Sequence, residues 1–247
     1  MLICHGKVAC SLELRLLLIA VTPVLALGLA VYFTDRYDRE PFFLLLKVFA
    51  WGCLAIIPTI VVERTLLAIN IFTGIGASAF NAFIVAGLTE EFFKREVVLR
   101  GVYLHKAFNE KLDGIIYAVF SALGFAMIEN IMYVFVNYSI NPYVGISRGL
   151  FSVPTHVLLG VTMGYYLSLA KFSYNYYLER MYLRKALLVP TFLHGIFDFI
   201  LMADVPILLA LFIPYVLYLW IINLKKLNKY YRDSKQRFLA DTTLHIK

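Results

Sequence analysis

Seven apolar runs, each close to bilayer-crossing length, leave this chain few folds to choose from. A helix crosses the hydrocarbon with about 20 mainly apolar residues. Within lipid every backbone N–H and C=O must be satisfied inside the protein, which a helix achieves alone. The runs cover residues 12–33, 42–62, 66–88, 114–136, 148–170, 186–203 and 207–223. They predict an all-α, polytopic transmembrane helix bundle of about seven spans, eight at most. Residues 1–247 then form a single integral membrane domain, with a basic tail at 224–247. At 61% hydrophobic residues the chain exceeds the ~45–50% of soluble domains and leaves no room for a sizeable one. The third run is expected to break near Gly74–Gly76, while Glu63 and Arg64 read as the end of the second.

The net charge of +7 is unevenly placed. Lys94, Arg95, Arg100, Lys106 and Lys111 form one basic stretch, residues 171–185 a second, and the tail a third. The stretches from Asn137 to Ser147 and around Asp204 lack Lys and Arg, apart from Arg148 at the next run's start. The positive-inside rule puts the basic segments and the C-terminus in the cytoplasm, where they meet anionic lipid. Counting back through seven spans puts the N-terminus outside, although Lys7 and Arg15 pull the other way. No nucleic-acid-binding module is present, and Cys4, Cys10 and Cys53 lack metal-binding spacing.

Against that apolar background a few polar residues stand out, because a charge at mid-bilayer costs roughly 2.5–3.5 kcal/mol. Glu90 and Glu91 end the third run, with Lys94 and Arg95 one turn on. Glu129 and Asn130 lie in the fourth run, His156 in the fifth, and His194 and Asp198, one turn apart, in the sixth. Carboxylates near imidazoles serve two chemistries. A buried Glu acts as a general base towards water, or Glu and His hold a zinc ion with an open position. The expected catalytic set is Glu90, Glu91, Glu129, His156 and His194, supported by Lys94, Arg95, Asn130 (as an oxyanion donor) and Asp198 (orienting His194). His156, His194 and Glu129 are the expected metal ligands. Ser121 and Ser152 read as ordinary small intramembrane residues. Two other classes use intramembrane charge: an ion-coupled transporter with a broken helix, and a catalytically inactive binder of membrane partners. A carrier should show repeated halves, and none is found.

The motifs also carry a resemblance. Glu90-Glu-Phe-Phe-Lys94 resembles the EExxK motif of the PrsW family of intramembrane proteases. Asp113-Gly-Ile-Ile-Tyr-Ala118 followed by Gly124-Phe-Ala-Met-Ile-Glu-Asn130 resembles that family's second block, Arg148 through His156 its third, and Leu193-His-Gly-Ile-Phe-Asp198 its fourth. The likeness covers about residues 31–200. Within the wider superfamily of CAAX prenyl endopeptidases and bacteriocin-processing proteins, Glu129 stands where the FxxxH pattern has His, and Asp198 where Asn is usual. The resemblance implies a metallopeptidase of the bacterial inner membrane, with zinc as the metal and Glu90 activating water. It implies as substrate a single-span membrane protein, an anti-sigma factor in envelope-stress signalling.

Overall fold

A computed structural model of the protein describes residues 2–244, with side-chain surroundings from 12 to 242. The described residues contain no strand. The helices are α1 (Leu2–Thr34), α2 (Phe42–Ala68), α3 (Gly74–Phe80), π1 (Asn81–Leu88), α4 (Thr89–Gly101), α5 (Lys111–Asn137), α6 (Val144–Ser147), π2 (Arg148–Ser152), α7 (Val153–Lys171), α8 (Tyr176–Met202), α9 (Pro206–Ala210) and α10 (Phe212–Leu244). Five stretches are long and apolar enough to cross a membrane: Leu12–Thr34, Phe42–Ala68, Lys111–Asn137, Val144–Lys171 and Tyr176–Met202. The runs expected as third and seventh spans are helical too. Their paths, 74–101 and α10, also carry the charges of Glu90 to Arg100 and of Lys225 to Arg237.

Helix α5 is the axis of the bundle and packs on α7, α2 and α1. Small residues permit the close crossings. A Cβ at Gly124 would overlap the Phe49 carbonyl of α2, and one at Gly164 the Gly114 carbonyl of α5. The N-terminus of α5 is closed by a capping box in which Asp113 Oδ2 accepts from the backbone N–H groups of Asn109 (2.8 Å) and Glu110 (2.7 Å). Ile115, Ile116, Tyr117, Val119 and Leu123 on this helix are wholly buried in the main core.

Several boundaries differ from expectation. Helix α2 continues to Ala68, taking three residues assigned to the third run. The chain then turns, with Asn70 Oδ1 accepting from Phe72 N–H at 2.8 Å, and restarts at Gly74 with φ +54, a left-handed value that suits glycine. The basic stretch 171–185 is mostly helix. Asn175 caps α8 by accepting from Tyr177 N–H at 2.7 Å, so charged Glu179, Arg180 and Arg184 lie on that helix and not in a loop.

The two ends of the bundle are unlike. One carries the turns 69–73, 138–143 and 203–205, where Ser78 Oγ donates to the Met202 carbonyl at 3.0 Å. The other gathers 35–41, 102–110, 172–175 and the foot of α10, where Arg237 donates to the Asn109 carbonyl at 3.2 Å. The basic segments lie at this second end.

Candidate active site

Two π-helical stretches introduce the site. Such stretches are rare, and π1 ends two residues before Glu90 while π2 ends one helical turn before His156. Each shifts the phase of the helix that follows, turning its polar residues inward. A tight contact fixes π1: a Cβ at Gly87 would press on the Thr191 carbonyl of α8, and one at Gly195 on the Phe83 ring of π1.

Lys94 sits at the centre, wholly buried. Its Nζ donates to Glu90 Oε2 (2.9 Å) and Glu91 Oε1 (2.8 Å), lies 3.0 Å from His156 Nδ1, and stands 4.4 Å above the Phe125 ring. An ammonium has only donors, so His156 Nδ1 accepts. The other ring nitrogen, Nε2, then carries the proton and donates to Glu129 Oε2 at 2.8 Å. Glu129 is also held by Arg148, whose Nη2 is 3.0 Å away. Arg148 Nε donates to Asn130 Oδ1 (2.9 Å), its guanidinium lies 4.0 Å over Tyr133, and Asn130 Nδ2 donates to the Ala20 carbonyl of α1 (2.7 Å). On the other side His194 Nδ1 is 3.0 Å from Glu91 Oε1, and its Nε2 is 3.3 Å from Asp198 Oδ2. The two imidazole rings meet edge to face at 5.6 Å.

A cavity of about 570 Å³ opens beside this network. Glu90, Glu129, His156, His194 and Asp198 line it; Glu91 and Lys94 do not. Its rim is built from Leu67, Asn81, Ser147, Met202 and Phe212, all near the end of the bundle with the short turns. Water, which lipid excludes, thus has a place next to the carboxylates.

The structure brings together Glu90, Glu91, Lys94, Glu129, His156, His194 and Asp198, as the sequence suggested. Two expected helpers stand elsewhere. Arg95 pairs with Glu96 (3.0 Å) and points to the Leu183 carbonyl (3.4 Å). Asn130 spends both ends of its amide on α1 and Arg148 and does not face the cavity, so it offers no oxyanion donor there. Asn81 lines the rim as expected, whereas Gly74 and Gly76 do not. Arg148, Tyr133 and Glu63 are the residues that sequence reasoning passed over. An Arg at the head of an apolar run, or a Glu at its foot, reads as an interfacial anchor. Ser121 is more than filler, since its Oγ donates to the Lys94 carbonyl at 2.9 Å.

The atoms that converge in a way suited to a metal belong to Glu90, Glu91 and His156, all within 4.8 Å of one another. Of the expected ligands, His156 is in this group. His194 stands beside it with both ring nitrogens turned to carboxylates, and Glu129 lies behind His156. The donor types, carboxylate oxygens and an imidazole nitrogen, suit a divalent ion, which would take the place of the Lys94 ammonium that now holds the same three residues. Glu91 Oε2 is buried without a hydrogen-bond partner, which also fits.

A helical membrane bundle holding a carboxylate–imidazole centre beside a cavity roomy enough for water suits an intramembrane hydrolase. Comparison with known proteins sharpens this: residues 40–224 match the PrsW family intramembrane metalloprotease description, and the chain belongs to that family. It is 43% identical over 231 residues to Protease PrsW of Clostridioides difficile (strain 630), covering 93% of this chain and 97% of that one. It is 39% identical over 183 residues to Protease PrsW of Geobacillus kaustophilus (74% and 78% covered) and 35% identical over 209 residues to that of Bacillus subtilis (85% and 92% covered). No solved structure matches. The protein is thus a multi-pass membrane peptidase, not an ion-coupled carrier, and its family is one of metalloproteases.

Proposed function

We propose that the protein cleaves a single-span membrane protein of the anti-sigma-factor type, with Glu90 as the base that activates water. One observation carries the choice of base: Glu90 faces the cavity, while Glu91 is sealed between Lys94 and His194. The family's metal, zinc in this reading, would be held by Glu90, Glu91 and His156 once Lys94 Nζ releases them. When bound it supplies Lewis acidity to the scissile carbonyl and acidifies a water. Glu90 takes a proton from water as the water oxygen bonds to the scissile carbonyl carbon. The same proton goes to the amide nitrogen as the C–N bond breaks. His194, lining the cavity with its ring held between Glu91 and Asp198, fixes the orientation of Glu91. Arg148 holds Glu129, which fixes the ring and tautomer of His156.

The lining residues Leu67, Asn81, Ser147, Met202 and Phe212 set the cavity towards the end of the bundle opposite the basic segments. If those segments and the C-terminus are cytoplasmic in a bacterial inner membrane, the bond cut lies at the outer side of the substrate's span. Anionic lipid is then met at the inner face by the basic segments and tail.

The test uses purified protein in liposomes with single-span anti-sigma-factor anchors, cleavage being read by mass spectrometry. Glu90→Gln and His156→Ala are expected to abolish cleavage while still unfolding cooperatively, at a midpoint lowered by the lost Lys94 contact. A chelator should remove activity and zinc restore it. A folded Glu90→Gln variant that cuts at the wild-type rate sinks the assignment.

A further inference from the structure

Residues Ile56, Ile60, Glu63 and Leu67 of α2 all line the cavity. Their spacing of four, three and four places them on one helix face. Three are apolar, and the fourth is a carboxylate. Glu63 lies five residues before the end of α2, or about 7 Å of helix rise, next to the rim residue Leu67.

Every other acid on the cavity wall has a basic partner within the protein. Glu90 has Lys94 at 2.9 Å, Glu129 has Arg148 at 3.0 Å, and Asp198 has His194 at 3.3 Å. Glu63 has no hydrogen bond or ion pair among the described residues, and it is partly exposed. The cavity has no cation to spare. Lys94 is sealed off, and Arg148 is committed to Glu129, Asn130 and the Tyr133 ring. Glu90 and Glu129 add negative field, which Lys94 and His194 offset in part without touching Glu63. An unpaired carboxylate on an otherwise apolar wall is costly unless its complement arrives from outside. A metal is a poor complement, because Glu63 is not among the ligand atoms that converge. A backbone N–H leaves its charge uncompensated.

We propose that Glu63 forms a substrate subsite that takes a Lys or Arg side chain of the membrane-anchored substrate, on the rim side of the bond that is cut. The subsite rests on the proposed reading of the protein as a protease of single-span substrates. It also offers discrimination. Lys and Arg are concentrated in cytoplasmic flanks, so a requirement for a basic residue at the outer flank rejects most single-span proteins.

The test uses wild type, Glu63→Gln and Glu63→Lys in nanodiscs, with leucine–alanine single-span peptides. One Lys is moved residue by residue through the outer flank, and norleucine at the same position is the control. Both Kd and cleavage are measured. At one position the Lys peptide should bind wild type at least tenfold more tightly than the norleucine peptide. Glu63→Gln should erase that ratio, and Glu63→Lys should transfer the preference to a peptide carrying Glu there. The subsite is overturned if wild type binds all peptides alike, or if Glu63→Gln weakens Lys and norleucine peptides equally, as a packing defect would. Because binding is read apart from turnover, peptides that bind selectively yet are never cut count against the protease reading and leave the subsite standing.

Discussion

Lys94 has no access to solvent, and its ammonium touches two carboxylates and an imidazole. Removing one partner of such a buried cluster leaves uncompensated charge and typically costs about 3–5 kcal/mol. Lys94→Met should therefore lower the thermal midpoint in detergent sharply, and adding Glu91→Gln should restore part of the loss. A Lys94→Met variant as stable as wild type would mean that the cluster does not hold the bundle. Arg148 acts at one remove, through Glu129. Arg148→Ala is expected to cut kcat about 10- to 100-fold with KM little changed, and Arg148→Lys to fall between, since an ammonium can pair with Glu129 but cannot also reach Asn130 in the same plane. Equal losses in kcat and KM would instead place Arg148 against the substrate. Seven of the site residues were legible in the sequence because charge inside apolar runs is expensive and therefore conspicuous. Which of two neighbours faces inward was not legible. Glu90 and Glu91 differ by about 100° on a helix, and π1 resets the phase just before them.

At the scale of elements, α5 is held by crossings that admit no side chain. Gly124→Ala and Gly164→Ala each place a Cβ against a backbone carbonyl, which cannot swing aside. Each should cost about 1–3 kcal/mol as overpacking and lower the midpoint, whereas Gly76→Ala, whose nearest neighbour is the Phe72 side chain at 3.8 Å, should be neutral. Unchanged midpoints in both α5-contact variants would contradict the close packing. The apolar cores of the helices could be read from hydropathy, and the break at Gly74 from its glycines. The ends were misjudged where polar residues continue a helix: Glu179 to Lys185 looked like loop, yet the Asn175 cap starts α8 ahead of them. Hydropathy reports where lipid lies, not where a helix stops.

At the scale of the whole molecule, the turn between α1 and α2 is tied to α5 by acids, not by an apolar plug. Asp35 Oδ2 accepts from Glu40 N–H at 2.8 Å, and Tyr117 of α5 donates to Glu40. Burial raises the Asp35 carboxyl from 3.8 to about 6, against the lowering effect of the Glu40 N–H. Burial, with Asp113 next, pushes Glu40 to about 10. The folded state therefore binds these protons more tightly than the unfolded chain does. Below about pH 4 both states are protonated and the contribution of Asp35 is complete. It is lost as the pH climbs to about 6, and beyond that Asp35 adds no slope; Glu40 continues the decline towards about 10. Stability at this end of the bundle should thus fall as pH rises, by about 1–2 kcal/mol for Asp35 once solvent screening is allowed for. Asp35→Asn keeps an oxygen to accept from Glu40 N–H but has no proton to lose. Its midpoint should decline less steeply than that of wild type between pH 4 and 6, the slope that remains coming from Glu40. Midpoints measured in detergent across that range decide the matter: parallel curves for variant and wild type would show that the proton is held elsewhere, and a curve that rises with pH would reverse the sign of the linkage.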